Sequence, residues 1–339
     1  MKEKDRLIYF LQTFGIMLVV LGHSFYQTRE TSKTLDWIYS FHMPLFFFIS
    51  GYLLRYTTAL KQTSISGMRL WGGRGYLTRK AKRLLLPYVA ISSMVFLPKA
   101  ALTALAARPV DGSAQSYISM LIYPYTNVIG SFWFMPTIFL MFAAVAYGAR
   151  IARLTGKNIS WISVMAVLLA VNIACGLNYE TVLNISGVVY YMLYMAGGYL
   201  FCMRNASRLM SRHPVAVFLL TLALSVTMVL YVPYFRGYDV ITAVNGIAMS
   251  ISLGNIYTGR DWHFLDHLYG ATYTIYLLSW FPQVASQQVL LSLVSLPWPV
   301  TTSLAFLSGI YLPLAAYRWI INNKGSRTGR LAALVTGLS

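Results

Sequence analysis

The stretch IYSFHMPLFFFISGYLL, residues 38–54, is apolar enough to lie in lipid, yet it carries a histidine, His42. Upstream, FGIMLVVLGHS, residues 14–24, does the same with His23. The whole chain has only 5 histidines. An ionisable side chain inside a bilayer is costly unless it is paired or faces a polar cavity, and such residues tend to be functional. The fold follows from the apolar runs. The function turns on these two rings.

The 339-residue chain is 57% hydrophobic and 11% charged, with a mean hydropathy of +0.59. Soluble domains carry about a quarter charged residues, so this chain lacks the polar surface of a water-soluble globule. Runs of about twenty apolar residues, the length a bilayer core requires, recur along it. Alternating strands of about ten residues, the mark of a membrane barrel, are absent. The expected fold is therefore all-α: a polytopic membrane bundle whose helices satisfy their own backbone hydrogen bonds in lipid. Ten spans are expected, at 7–25, 37–57, 85–105, 128–148, 160–176, 184–203, 214–232, 240–256, 268–290 and 297–317. Residues 1–322 read as a single transmembrane domain, and 323–339 as a short basic cytoplasmic tail. The first apolar run, after Lys2, Lys4 and Arg6, is as long as a span and reads as a membrane helix rather than a cleavable leader.

A net charge of +18 invites a nucleic-acid partner. Its distribution argues against one. With the N-terminus cytoplasmic, only Arg29, Lys33, Lys99, Arg108 and Arg236 of the 27 basic residues lie in or near outer segments. This is the positive-inside pattern of a membrane protein with both termini cytoplasmic, and membrane lipid is the expected partner. None of the 9 acidic residues falls mid-membrane, where proton relays commonly place them. Nor is there a visible repeat or a pair of inverted halves. Cys175 and Cys202 fall near opposite faces, so neither a disulfide nor a metal site is expected. The inner connection 58–84 reads as a short interfacial helix or a loop that folds back. The outer segment 106–127 reads as an irregular loop around Pro109, Asp111, Gly112 and Ser113.

His23 comes near the outer end of span 1. His42 lies about five residues, roughly 8 Å, in from the outer end of span 2. The two are expected at comparable depth, where they can line one polar cavity. The plainer reading is that each only bonds a neighbouring helix or sits at the headgroups.

These motifs, with RKAKRLLLPYV (79–89), SFWFMPTIFL (131–140) and TYTIYLLSWFP (272–282), together resemble the membrane-bound acyltransferase 3 family, especially its sugar O-acetylase-like branch. The resemblance implies a fold of about ten helices in the inner (plasma) membrane. It implies an acyl-CoA donor, most simply acetyl-CoA, taken from the cytoplasm. The acceptor it implies is a hydroxyl on a glycan or lipid-linked saccharide of the cell envelope. It also implies catalysis by the histidine near the outer end of span 1, which is His23. His42 would orient His23, bind the acceptor or pack.

That chemistry suits an imidazole. An alcohol attacking a thioester must lose its proton as the new bond forms, and a base with an ordinary pKa near 6.5 matches that task. Trp133, Asn245 or Tyr276 can donate hydrogen bonds to the developing oxyanion. Arg79, Lys80, Lys82 and Arg83 are expected to hold the donor's phosphates, Arg by forked contacts and Lys as a point charge. Topology alone, or anionic lipid, also accounts for such a cluster.

The chain departs from the family at three places. Gln12 stands where Arg or Lys is usual, Tyr9 where an acid is frequent, and Ser279 where a histidine is frequent. Gln12 and Ser279 join the expected substrate pocket as neutral substitutes. A saccharide transporter or flippase, and a non-catalytic component of a polysaccharide-assembly complex, stay open as alternatives. So do a homo-oligomer or polysaccharide-assembly proteins as partners.

Overall fold

The computed structural model describes residues 3–25, 32–101, 103, 110–156, 160–178, 180–292 and 296–338. Lys2, Arg29, Glu30, Arg108, Pro109 and Lys157 of the charge and loop readings lie outside them. The described residues are helical, with no strand among them. The helices are α1 Glu3–Ser24, α2 Lys33–Leu60, α3 Tyr76–Ala101, α4 Ala114–Ile122, α5 Phe134–Thr155, α6 Trp161–Cys175 and α7 Ile185–Met203. They continue as α8 Ser207–Met210, α9 Pro214–Tyr231, α10 Tyr238–Gly259, α11 Thr272–Leu278, α12 Trp280–Ser292, α13 Trp298–Asn322 and α14 Arg327–Val335.

Eight described helices are long and apolar enough to cross a membrane, and the protein is a polytopic helical membrane protein. The other two expected spans differ in form. Span 160–176 is α6, of 15 residues, which at 1.5 Å per residue is shorter than a bilayer core of about 30 Å. Span 268–290 is divided at Ser279 into α11 and α12. The Ser279 N–H still donates to the Ile275 carbonyl (2.9 Å) and the Gln283 N–H to the Ser279 carbonyl (3.1 Å). Pro282 has no N–H to give Leu278, and the ladder loosens there.

Two further readings change. Residues 114–122, expected in an irregular loop, form α4. Ser113 supplies its N-cap, with Oγ accepting from the Ser116 N–H (3.1 Å). The stretch expected as a tail contains α14. Ser326 caps it by accepting from the Gly329 N–H (3.0 Å), and Gly337 beyond it lies against the Arg83 backbone of α3.

The chain divides into two compact units, one of Met1–Thr57 with Tyr194–Trp319, the other of Thr58–Leu193 with Ile320–Ser339. In the first unit, Ile16, Val19 and Val20 of α1 pack on Leu268, Ala271 and Ile275 and on Ile310 and Leu314 of α13. On another side, Leu18 meets Leu35, Ile38 and Phe41 of α2 and Met249 of α10. The N-terminal end of α1 is pinned by charge. Arg6 Nη1 donates to Asp261 Oδ1 (2.5 Å) and Nη2 to the Trp262 carbonyl (2.7 Å). In the second unit, Leu70 and Leu77 pack on Ala146 of α5. Asn184 Nδ2 donates to Thr137 Oγ1 (2.6 Å), and Asn172 Nδ2 to the Tyr190 carbonyl (2.8 Å).

Within the first unit α2 and α7 touch backbone to backbone. A Cβ on Gly51 would stand 1.8 Å from the Met195 carbonyl oxygen, and one on Gly198 1.9 Å from that of Phe48. Small residues let membrane helices approach this closely, where dispersion replaces the hydrophobic drive. Gly198→Val should therefore force the helices apart and cost about 1–3 kcal/mol or more, read as a lower Tm in detergent. An unchanged Tm would refute the contact.

The Arg6 guanidinium holds the Asp261 carboxyl below the usual carboxylate range, chiefly through its hydrogen bond. A carboxyl whose pKa is lowered on folding adds stability above its unfolded value, near 3.9, and loses that stability as pH falls through the folded value. The wild-type Tm should thus fall below about pH 4 more steeply than that of Asp261→Asn. The difference is small, because the Asp261 side chain is 77% exposed and solvent screens the pair.

Candidate functional site

The C-terminal end of α1 decides the geometry around His23. The last carbonyls of any helix lack partners within it, and in lipid an unpaired one is costly. Here α12 supplies the donors. Gln283 Nε2 donates to the Val20 carbonyl (2.7 Å) and to Ser24 Oγ (2.9 Å). One turn on, Gln287 Nε2 donates to the carbonyls of His23 and Ser24 (both 3.1 Å). Ser24 Oγ in turn donates to the Val20 carbonyl (2.7 Å). Both glutamines are buried. They fix the backbone on which the half-buried His23 ring is mounted.

The neighbouring turn of α2 faces the same place. Tyr39 Oη donates to the Gly22 carbonyl (3.1 Å), one residue before His23. A Cβ on Gly22 would meet the Tyr39 ring at 2.9 Å, so this approach requires glycine. The Tyr39 ring lies 5.2 Å from that of His42, centroid to centroid. His42 is buried, and its Nδ1 lies 2.9 Å from the Ile38 carbonyl oxygen. A carbonyl only accepts, so Nδ1 carries a proton, and Nε2 faces away from that bond. The first unit thus brings together His23, Tyr39, His42, Gln283 and Gln287.

Gln12 lies eleven residues before His23, three helical turns, and so on the same face of α1. It is half-buried and makes no hydrogen bond among the described residues. Tyr9 stacks on Tyr269 at 5.3 Å. Asn245 is buried, and its Nδ2 donates to the Thr221 carbonyl and Ser225 Oγ of α9 (both 2.8 Å). That use is helix-to-helix attachment. Tyr276 packs beside the Ile275 cluster, and Ser279 is buried at the α11–α12 junction. His263, to which no chemistry is assigned, reaches Asp266 Oδ2 through Nδ1 (2.6 Å).

The other expected residues belong to the second unit. Trp133 is stacked between Tyr125 (4.9 Å) and Tyr191 (5.5 Å). The four basic residues of α3 do not point one way. Lys80 Nζ sits 3.7 Å above the Phe142 ring. Arg79, Lys82 and Arg83 are exposed and share a face by their spacing. The Arg79 guanidinium donates to the Arg74 carbonyl.

Tyr39, Gln283 and Gln287 are not among the expected site residues. The signal was present in TYTIYLLSWFPQVASQQ (272–288): two amides at i, i+4 in an apolar run share a helix face and require partners in lipid.

Among curated proteins and among solved structures, none matches the chain. The acyltransferase 3 family profile, described as an acyltransferase domain, matches residues 8–318. That match begins in α1, two residues after the arginine that pins it, and ends in α13, so it takes in His23, His42 and the glutamines that hold them. The chain therefore belongs to the acyltransferase 3 family and is a multi-pass membrane acyltransferase.

Proposed function

We propose that the protein is an O-acyltransferase of the inner (plasma) membrane. It moves an acyl group, acetyl in the simplest case, from cytoplasmic acyl-CoA to a hydroxyl of a cell-envelope saccharide. His23 is the general base. The observation that carries this reading is the clasp of Gln283 and Gln287 on the carbonyls around His23, which gives one imidazole a fixed mount. A base must sit within hydrogen-bond reach of the proton it removes, and misplacement by about 1 Å can cost 10²-fold.

In the reaction the acceptor oxygen attacks the thioester carbonyl carbon as His23 takes the hydroxyl proton. The C–O bond forms. Collapse of the tetrahedral intermediate breaks the C–S bond, and the proton passes to the departing thiolate. A positioned base contributes about 10²–10⁴-fold. Orientation of the two substrates and donors to the oxyanion supply the remainder. His42 acts through the Tyr39 ring and its own Nε2 as a positioning residue. The exposed Arg79, Lys82 and Arg83 suit the phosphates of the donor, with Lys80 adding charge from its seat on Phe142.

His23→Ala should abolish ester formation on the glycan, a loss of at least about 10²-fold, with unchanged protein level and Tm. Mass spectrometry of the envelope saccharide reads it, and full acetylation by that variant sinks the assignment. Gln287→Leu leaves two carbonyls without their donor, at about 1–3 kcal/mol each. It should lower both Tm and kcat while KM for the donor holds. Gln287→Asn, shorter by one methylene, should recover neither.

A further inference from the structure

The connection from α2 to α3 folds back against the end of α5 in the second unit. Leu70 is buried beside Leu77 and Ala146. Tyr76 N–H donates to the Arg69 carbonyl and Leu77 N–H to that of Leu70 (both 2.8 Å). Trp71 Nε1 donates to Tyr147 Oη (2.6 Å). Loop and helix enclose a cleft of about 680 Å³, lined among others by Gly67, Arg69, Trp71, Tyr147, Arg150 and Arg153. A Cβ on Gly67 would lie 3.5 Å from Arg153 Nη1, so that guanidinium rests over the loop. Arg69 Nε donates to the Trp71 carbonyl (3.0 Å), which holds its guanidinium at the rim.

Three arginines from two elements therefore line one cleft. Among the described residues no carboxylate pairs with any of them. Topology explains basic residues on such a loop, and the α5 C-terminus favours cations on its last turn. Neither accounts for three exposed arginines lining one cleft. Like charges in one concavity concentrate a positive field that an anion relieves. Guanidinium forks match phosphate oxygens. Trp71, half exposed, and Tyr147, 43% exposed, offer aromatic surface beside the charge.

We propose that this cleft binds a phosphate group, presented either by a soluble nucleotide or by an anionic lipid headgroup. The inference stands apart from the acyl-transfer reading, since binding here requires no reaction.

Purified full-length protein in detergent tests it in two arms: equilibrium dialysis with 3′,5′-adenosine bisphosphate against adenosine, and native mass spectrometry with phosphatidylglycerol against phosphatidylcholine. Wild type should bind the phosphorylated or anionic probe in one arm, which names the source. The double variant R150Q/R153Q should bind it at least about tenfold more weakly, while R212Q, at an exposed arginine elsewhere, should match wild type. No binding in either arm overturns the proposal, as does affinity unchanged in the double variant. If that variant elutes aggregated, R150K and R153K take its place. They keep the charge and lose the fork, and unchanged affinity in both then overturns the proposal equally.

Discussion

In hydrocarbon a helix cannot end with its carbonyls open, because no water is there to take the place of the missing donors. The structure of the first unit follows from how α1 meets that constraint. Its last carbonyls are closed by two glutamines of α12 and by its own Ser24. Because α12 must stand one turn-spaced pair of amides against α1, its rotation and height are set. Because Gly309 of α13 lies against Gln283 and Val20, α13 is drawn to the same junction. The residue at the centre of this junction is His23, whose carbonyl Gln287 holds.

Much of the fold was legible because hydropathy and length are properties of local sequence. Six of the eight described helices stand within about five residues of where apolar runs place them, while α3 begins nine residues early and α5 is shifted onward by six to seven. What escaped was decided by single residues or by tertiary contact. Pro282 withholds one N–H and divides α11 from α12. Ser113 and Ser326 cap short helices in stretches read as loop and tail. α14 leads into Gly337, which lies against α3, a tertiary contact that no window of sequence reports.

The site was legible in part, for the same reason. His23 and His42 are ionisable groups within apolar runs, and both lie in the first unit. Gln283 and Gln287 are uncharged and so do not stand out as ionisable groups, although their i, i+4 spacing marks a polar stripe. The basic run 79–83 looked like one cluster in sequence. Helical spacing turns Lys80 onto Phe142 while Arg79, Lys82 and Arg83 face out together. A string of like charges on a helix is a set of directions, not a patch.

The neutral residues at Tyr9 and Gln12 also acquire a physical sense. α1 is gripped at one end by Arg6 on Asp261 and the Trp262 carbonyl, and at the other by the glutamines. The eighteen residues between span about 27 Å at helical rise, close to the thickness of a bilayer core. A helix fixed at both ends has no freedom to slide or tilt in search of partners for an interior charge. A cation at Gln12 would need a fixed counter-charge on that face, yet Tyr9, one turn away, stacks on Tyr269 rather than supplying one. A neutral amide carries no charge that needs such a partner. His23 keeps its mount with neutral residues at both positions, because the mount is made by Gln283 and Gln287.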